Sequence, residues 1–146
     1  MTTKSNEKQL LNETFASKPE TVEQVEAVTD KISRAMNFSE QERDNIAIAI
    51  TEAVNNAIYH GNKLDINKKI HYTIYSSGDS LRFLIRDEGK GFKPSDVPDP
   101  LEPANLLKEN GRGIFILKSL MDDVYFDFSP HGTTITLIKT KKKEQD

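Results

Sequence analysis

The chain lacks cysteine altogether and contains only seven glycines among its 146 residues. The absence of cysteine excludes disulfide frameworks, cysteine-ligated zinc sites and thiol nucleophiles. No apolar run approaches the roughly 18 residues that a membrane-spanning helix needs, and residues 1–8 have no apolar core of the signal-peptide kind. We therefore expect a cytoplasmic protein that has no contact with a membrane.

The chain also lacks a large excess of charge of either sign, because 20 basic and 23 acidic residues leave a net charge of −3. This balance argues against a polyanion-binding surface, so we expect no direct binding of nucleic acid. A hydrophobic fraction of 36% in a chain of this length suits one soluble domain with its own core. We predict a flexible N-terminus over residues 1–8, a single domain over 9–140 and a charged tail over 141–146.

The hydrophobic pattern predicts an α+β order of elements. Apolar residues at helical spacing predict three helices, over residues 19–36, 40–60 and 114–121. Runs rich in β-branched and aromatic residues predict an edge strand over 9–16 and two hairpins, 69–75 with 81–87 and 124–128 with 133–138. The expected fold is a two-layer sandwich with helices on one face of a mixed, mostly antiparallel sheet.

The second predicted helix has clear end signals. Ser39 and Glu42 have the spacing of a capping box, which predicts its start. Gly61 and Asn62 predict its end through a left-handed stop.

A polar line runs along this helix, because Glu52, Asn56 and His60 are four residues apart and so share a face. Ala49 and Ala53 separate the line from the apolar stripe. A carboxylate and a carboxamide beside small residues leave space above the helix for a ligand. A solvated helix face is the alternative, and His60 would then only cap the last carbonyls.

Asp87 ends a predicted strand, in the sequence Asp-Glu-Gly-Lys-Gly. Alternation places its side chain on the apolar face of that strand, toward the helices. A buried carboxylate needs a hydrogen-bond donor, and the exocyclic amine of a purine would serve. Gly89 and Gly91 would let the backbone lie flat against such a ligand, although the same pattern also forms ordinary turns.

Two further segments complete the pattern. Gly111 and Gly113 lead into the third predicted helix, where exposed N–H groups bind phosphate oxygens, and Lys108 and Arg112 would add positive charge. Thr133 begins the last strand on its core-facing side, near the expected end of the Asp87 strand. The sequence has neither a Walker-type nor a dinucleotide-binding glycine motif, so the pattern predicts a different nucleotide pocket.

In this order, the four segments resemble the motifs of the GHKL ATPase superfamily, which includes gyrase, histidine kinases and mismatch-repair ATPases. Residues 52–61 resemble its N box, and three segments resemble its glycine boxes, at 87–92, 111–113 and 132–133. The resemblance covers about residues 40–140. It implies the Bergerat ATP-binding fold, a left-handed βαβ sandwich, with ATP and Mg²⁺ as cofactors.

Within the superfamily, the sequence most resembles bacterial anti-sigma factors that are also serine-protein kinases. The residues that carry this are His60-Gly61 after the N box and Met121-Asp122-Asp123 after the second glycine box. The resemblance implies a homodimer that binds a sigma factor and phosphorylates a serine of an anti-anti-sigma partner. Two alternatives are a non-catalytic ATP-binding regulator and a stand-alone histidine-kinase-like ATPase, although no histidine precedes His60 as phosphoacceptor.

The resemblance also implies a role for each motif residue. Asn56 is similar to the Mg²⁺ ligand, and Glu52 to the residue that orients or deprotonates the attacking serine. Asp87 is similar to the adenine-reading aspartate, supported by Thr133. Other residues with an implied place at the cofactor are His60, Gly89, Gly91, Gly111 and Gly113.

The stretch over about residues 93–110 resembles the ATP lid of the superfamily. Some members place an arginine two residues before the first glycine of the second box, where this chain has Glu109. Either Lys108 or Arg112 is therefore the candidate contact of the terminal phosphate.

Overall fold

The structure is a computed structural model that describes residues 7–89 and 111–142. Its elements follow in the order β1 (Lys8–Ala16), α1 (Thr21–Ala35), α2 (Glu40–Asn55), a π-helical turn (Asn56–Gly61), β2 (Lys69–Ser77), β3 (Ser80–Arg86), α3 (Gly111–Leu120), β4 (Asp123–Ser129) and β5 (Gly132–Thr140). The three predicted helices and five predicted strands are all present, with bounds that differ by a few residues.

The five strands form one sheet in the order β1-β2-β3-β5-β4. The sequence predicted a mixed, mostly antiparallel sheet, and each of the four pairings between the described strands is antiparallel. Because β3 and β4 both run antiparallel to β5, they point in the same direction with β5 between them. The connection between them carries α3, so it places this helix over the sheet.

The helices cover one face of the sheet, as the sequence predicted. Burial alternates along β2 and β3, so that one face of each strand enters the core. α2 packs against both α1 and α3. The apolar residues of α2, β2 and β3 that form the centre of the core are Ile46, Ile50, Val54, Ile70, Tyr72, Ile74, Leu81, Phe83 and Ile85.

The start of α2 is the predicted capping box. The hydroxyl of Ser39 accepts a hydrogen bond from the backbone N–H of Glu42 at 3.1 Å, and Ser39 N–H donates to Glu42 Oε1 at 2.9 Å. The other carboxylate oxygen of Glu42 accepts from the backbone N–H of Lys142 at 2.8 Å. This side chain therefore also fixes the chain that leaves β5.

The end of α2 differs from the prediction of a left-handed stop at Gly61 and Asn62, which is wrong. The helix continues into the π-helical turn, and Asn62 follows with a φ of −85°. The residues with positive φ between this turn and β2 are Lys63 at 52° and Leu64 at 62°. The wider turn delays the reversal of the chain by one to three residues, because its N–H groups bond five residues back, as that of Asn62 does to Ala57 O.

The beginning of the described chain belongs to the sheet. β1 starts at Lys8, one residue before the predicted domain boundary. Glu7 accepts two hydrogen bonds from the guanidinium of Arg82, both at 2.8 Å. Across residues 7–89 and 111–142, no helix combines the length and the apolar character that crossing a membrane requires.

Candidate functional site

Asp87 lies directly after β3, with only 5% of its surface exposed. Its Oδ1 accepts hydrogen bonds from the backbone N–H groups of Gly89 at 3.0 Å and Thr133 at 3.1 Å. Its own N–H donates to Thr133 O at 3.0 Å. The structure thus places Thr133 beside Asp87, where the sequence predicted it. The contact is made by the backbone N–H and carbonyl of Thr133, whereas the expected contact was with its core-facing side chain.

Glycines allow three chain segments to meet around Asp87. A Cβ built on Gly61 would lie 2.1 Å from Asp87 Oδ2, and one on Gly132 would lie 2.2 Å from Asp87 O. A Cβ on Gly89 would lie 2.1 Å from Gly61 O. The end of the π-helical turn, the turn after β3 and the start of β5 therefore touch here through their backbones. Among the described residues, no donor hydrogen-bonds to Asp87 Oδ2, so this oxygen is free to accept from a ligand.

Burial raises the pKa of the Asp87 carboxyl group. The N–H groups of Gly89 and Thr133, and the positive charges of Lys68 and Arg86, act in the opposite direction but do not cancel the effect of burial. A ligand that donates a hydrogen bond to Oδ2 would favour the ionised form. The site is therefore suited to a neutral donor such as an amine of a purine base.

Glu52 and Asn56 face α3 across a small pocket. The pocket is lined by Glu52, Asn56, Gly113, Ile114 and Leu117. A Cβ built on Gly113 would lie 2.3 Å from Glu52 Oε2, so the start of α3 passes directly over the carboxylate. The structure thus brings together the two polar residues of the N box and a glycine of the second glycine box.

The donor atoms in this pocket fit a hard divalent cation. Magnesium prefers oxygen ligands and is often held by one or two protein groups together with substrate phosphates. Asn56 supplies an amide oxygen and Glu52 a carboxylate, and both side chains are half-buried. The described residues contain no group of three or more acidic and histidine side chains that would form a complete metal site by itself.

His60 lies apart from the pocket lining and is exposed. Its predicted alignment with Asn56 assumed 3.6 residues per turn, and it stands within the π-helical turn, where the spacing is wider. Its contact with a cofactor stays a prediction. Gly111 begins α3 as expected. Several predicted features lie outside what the structure describes, namely Gly91, the lid over residues 93–110 with Lys108, and the side chain of Arg112.

Asn62 was predicted only as part of the helix end, but in the structure its side chain also links distant parts of the chain. Its side chain is 1% exposed and bonds to the backbone at two distant points. Oδ1 accepts from Glu88 N–H at 2.7 Å, and Nδ2 donates to Lys69 O at 3.0 Å. Its position immediately after the N box was the only signal in the sequence.

The profile of the family described as histidine kinase-like ATPase domain matches residues 15–139, which is most of the chain. The chain belongs to this family. The histidine kinase-like ATPase fold accounts for the two sites above, because it implies an ATP pocket between the helices and the sheet.

Relatives with a curated name include proteins called serine-protein kinase RsbW. The one from Oceanobacillus iheyensis is 27% identical over 135 residues, which cover 88% of this chain and 85% of the relative. The one from Staphylococcus epidermidis is 35% identical over 105 residues, which cover 67% of this chain and 65% of the relative.

Solved structures share the fold. The RsbU and RsbW domains of a Mycobacterium tuberculosis protein match with a TM-score of 0.67 and 20% identity, over 89% of this chain. This chain spans 32% of that longer one. A blue-light activated histidine kinase from Erythrobacter litoralis matches with a TM-score of 0.51 and 14% identity, over 83% of this chain and 59% of its own. At these identities the matches show the fold of the ATPase domain alone.

Proposed function

We propose that this chain is an ATP-dependent serine-protein kinase that also acts as an anti-sigma factor. The observation that carries the proposal is the pocket in which Glu52 and Asn56 of the N-box helix meet Gly113 at the start of α3. The relatives named serine-protein kinase RsbW support the same chemistry. Three parts of the site then have separate tasks, which are reading the base, holding the phosphates and activating the serine.

Asp87 is the proposed reader of adenine. Its Oδ2 is free to accept a hydrogen bond from the exocyclic amine of the base, while Gly89 and Thr133 hold Oδ1. Guanine presents a carbonyl oxygen at the corresponding position, and two acceptors facing each other in a buried site are costly. The site therefore favours ATP over GTP.

Asn56 is the proposed protein ligand of Mg²⁺, through its amide oxygen. The bound ion supplies positive charge at the phosphates. The backbone N–H groups at the start of α3, where Gly111 and Gly113 stand, suit phosphate oxygens. We further propose that Gly91, the lid and either Lys108 or Arg112 complete the phosphate contacts, with His60 near the cofactor.

Glu52 is the proposed group that orients the attacking serine and accepts its proton. The serine oxygen forms a bond to the γ-phosphorus, the bond between that phosphorus and the ADP oxygen breaks, and the serine proton passes to the Glu52 carboxylate. A half-buried position opposite the phosphate-binding helix start is suited to this step.

The proposed partners are a sigma factor and an anti-anti-sigma protein that carries the phosphorylated serine. They follow from the resemblance of the sequence to anti-sigma kinases, as does a homodimeric state, and we further propose a cytoplasmic location. One domain over residues 9–140, with a lid over about 93–110, would both phosphorylate the serine and bind the sigma factor.

The deciding experiment incubates the full chain with labelled ATP, Mg²⁺ and candidate anti-anti-sigma proteins encoded nearby. We expect label on a serine of one candidate. Glu52→Ala should still bind ATP but transfer no label, whereas Asp44→Ala, an exposed position on the same helix, should transfer normally. Capture of a sigma factor without any labelled serine would contradict the kinase and favour the non-catalytic ATP-binding regulator.

A further inference from the structure

Asn62, Glu88 and Lys69 form a closed ring of three hydrogen bonds behind the Asp87 turn. Glu88 N–H donates to Asn62 Oδ1 at 2.7 Å, and Asn62 Nδ2 donates to Lys69 O at 3.0 Å. Lys69 N–H donates to Glu88 Oε1 at 2.9 Å. The ring therefore ties together the end of the π-helical turn, the first residue of β2 and the turn that follows β3.

The side chain of Asn62 is the buried part of this ring, with 1% exposure. Truncating it would leave the Glu88 N–H and the Lys69 carbonyl without these partners, in a part-buried place. Leaving buried polar groups unpaired costs more than the bond itself contributes. The two bonds thus resist any separation of the π-helical turn from the sheet at this point.

The ring is adjacent to the base-reading site along the chain on both sides. Gly61, whose backbone touches Asp87 and Gly89, immediately precedes Asn62. Asp87 immediately precedes Glu88, the residue whose N–H bonds to Asn62. A movement of Asn62 can therefore displace Asp87 by two short routes. One passes through Gly61, which packs against Asp87, and the other through Glu88, which follows Asp87 in the chain.

We infer that Asn62 is a positioning residue of the nucleotide site. It holds the Asp87 turn against the end of the π-helical turn, and so fixes the separation between the carboxylate on the sheet and the pocket on α2. The identity of the ligand as a nucleotide rests on the proposed function, whereas the positioning of Asp87 by Asn62 does not. In this inference Asn62 acts on the nucleotide only through Asp87.

The first measurement uses the nucleotide-free full chain and amide hydrogen exchange. The N–H groups of Gly89 and Thr133 both donate to Asp87 Oδ1, so their exchange reports whether the turn is held. Relative to amides in the middle of β2, we expect Asn62→Ala to speed their exchange by about tenfold or more. Asn62→Ser removes both bonds but leaves a hydroxyl and room for water beside the Glu88 N–H, so it should speed exchange in the same direction by less.

Thr29→Val is the matched control. Thr29 is 2% exposed and its hydroxyl shares a hydrogen bond of 2.6 Å with Tyr72, so this change also removes a buried polar contact. It lies on α1, which contributes no residue to the site. We expect a loss of overall stability without selective exchange at Gly89 and Thr133.

The second measurement compares the affinities for ATP and GTP. Asn62→Ala should lower the preference for ATP by about tenfold, and Thr29→Val should leave the preference unchanged. A purely structural role would lower stability in both variants and change the preference in neither.

The outcomes separate the inference from the function on which it builds. Unchanged exchange at Gly89 and Thr133 in both Asn62 variants overturns the inference. So does an unchanged ATP preference in Asn62→Ala when Asp87→Asn loses that preference. Faster exchange together with an Asp87→Asn variant that still prefers ATP supports the positioning role and contradicts the proposed reading of adenine. If Asn62→Ala does not fold, the exchange and preference of Asn62→Ser decide by the same criteria.

Discussion

Gly113 approaches Glu52 so closely that a side chain at position 113 has no room. A Cβ there would lie 2.3 Å from Glu52 Oε2 and 2.9 Å from Glu52 Cδ. The start of α3 therefore sets the position of the carboxylate on α2. A small change on one helix can in this way disturb a group on the other without disturbing the core.

Gly113→Ala tests this relationship. The added methyl group meets the end of a flexible, half-buried side chain, so Glu52 can swing aside and the fold is retained. Alanine is also a better helix former than glycine by about 1 kcal/mol, which offsets part of the strain. We expect stability to change by less than about 1 kcal/mol and phosphotransfer to fall on the order of ten- to a hundredfold.

The test measures the thermal unfolding of Gly113→Ala together with its rate of label transfer to the protein substrate. Ser119→Ala, an exposed position on the same helix, is the control and should change neither. A Gly113→Ala protein with full transfer activity would show that the observed position of Glu52 is not needed for the reaction.

Gly61→Ala should behave differently, because its Cβ would meet a group that cannot swing aside. The Cβ would lie 2.1 Å from Asp87 Oδ2 and 2.3 Å from Asp87 Cγ, and that carboxylate is held by two N–H groups. We expect loss of ATP binding and a decrease of about 1–3 kcal/mol in the free energy of unfolding.

Calorimetric ATP titration and denaturant unfolding measure the two effects of Gly61→Ala. Gly78→Ala is the control, because Gly78 has a φ of +59° but nothing within 4 Å of its Cβ. It should cost about 1–2 kcal/mol of stability through strain and leave ATP affinity unchanged. Normal ATP affinity in Gly61→Ala would contradict the close packing at Asp87.

Asp87→Asn separates binding from stability. Loss of a charged acceptor should weaken ATP binding by about tenfold or more, since hydrogen bonds to charged groups contribute about 1.5–3 kcal/mol. Burial raises the pKa of Asp87 in the folded protein, so its ionisation opposes folding. The stability linked to this group is present below its unfolded-state pKa and is lost as the pH rises through the raised value.

The nucleotide-free Asp87→Asn protein should therefore gain stability relative to the original chain as the pH rises from about 4 to 7. Denaturant unfolding at the two pH values, together with ATP titration, tests both effects. Unchanged ATP affinity would contradict the assignment of the base-reading site.

Glu42→Gln tests the link between the capping box and the end of β5. Burial opposes the ionisation of Glu42, yet the N–H groups of Ser39 and Lys142 and the Ser39 hydroxyl together lower its pKa. Its contribution to stability is therefore present above its unfolded-state pKa and is lost as the pH falls through the lowered value.

Glutamine can accept only one of the two backbone hydrogen bonds, because its amide nitrogen is a donor. We expect Glu42→Gln to lose about 1–2 kcal/mol at pH 7 and the difference to shrink as the pH is lowered toward about 3. Unfolding curves of both proteins across this range measure it. A difference that stays constant with pH would show that charge has no part in this contact.

Much of the fold follows from local signals in the sequence. The alternation that ends at Asp87 predicts its burial, and the capping box at Ser39 predicts the start of α2 to within one residue. The π-helical turn is not predictable in this way, since its residues continue a normal helical pattern. It ends at Gly61, which packs against the turn after β3, a contact between segments far apart in the sequence.

The sequence by itself determined the elements and the four motif segments, because helical period, strand alternation and helix capping are properties of neighbouring residues. Only the tertiary structure decided which of them touch. Asn62 and Glu88 are 26 residues apart, and Glu52 is far from Gly113 along the chain. A glycine or a buried amide gains its role from the group that approaches it, and the strand order β1-β2-β3-β5-β4 brings those groups together.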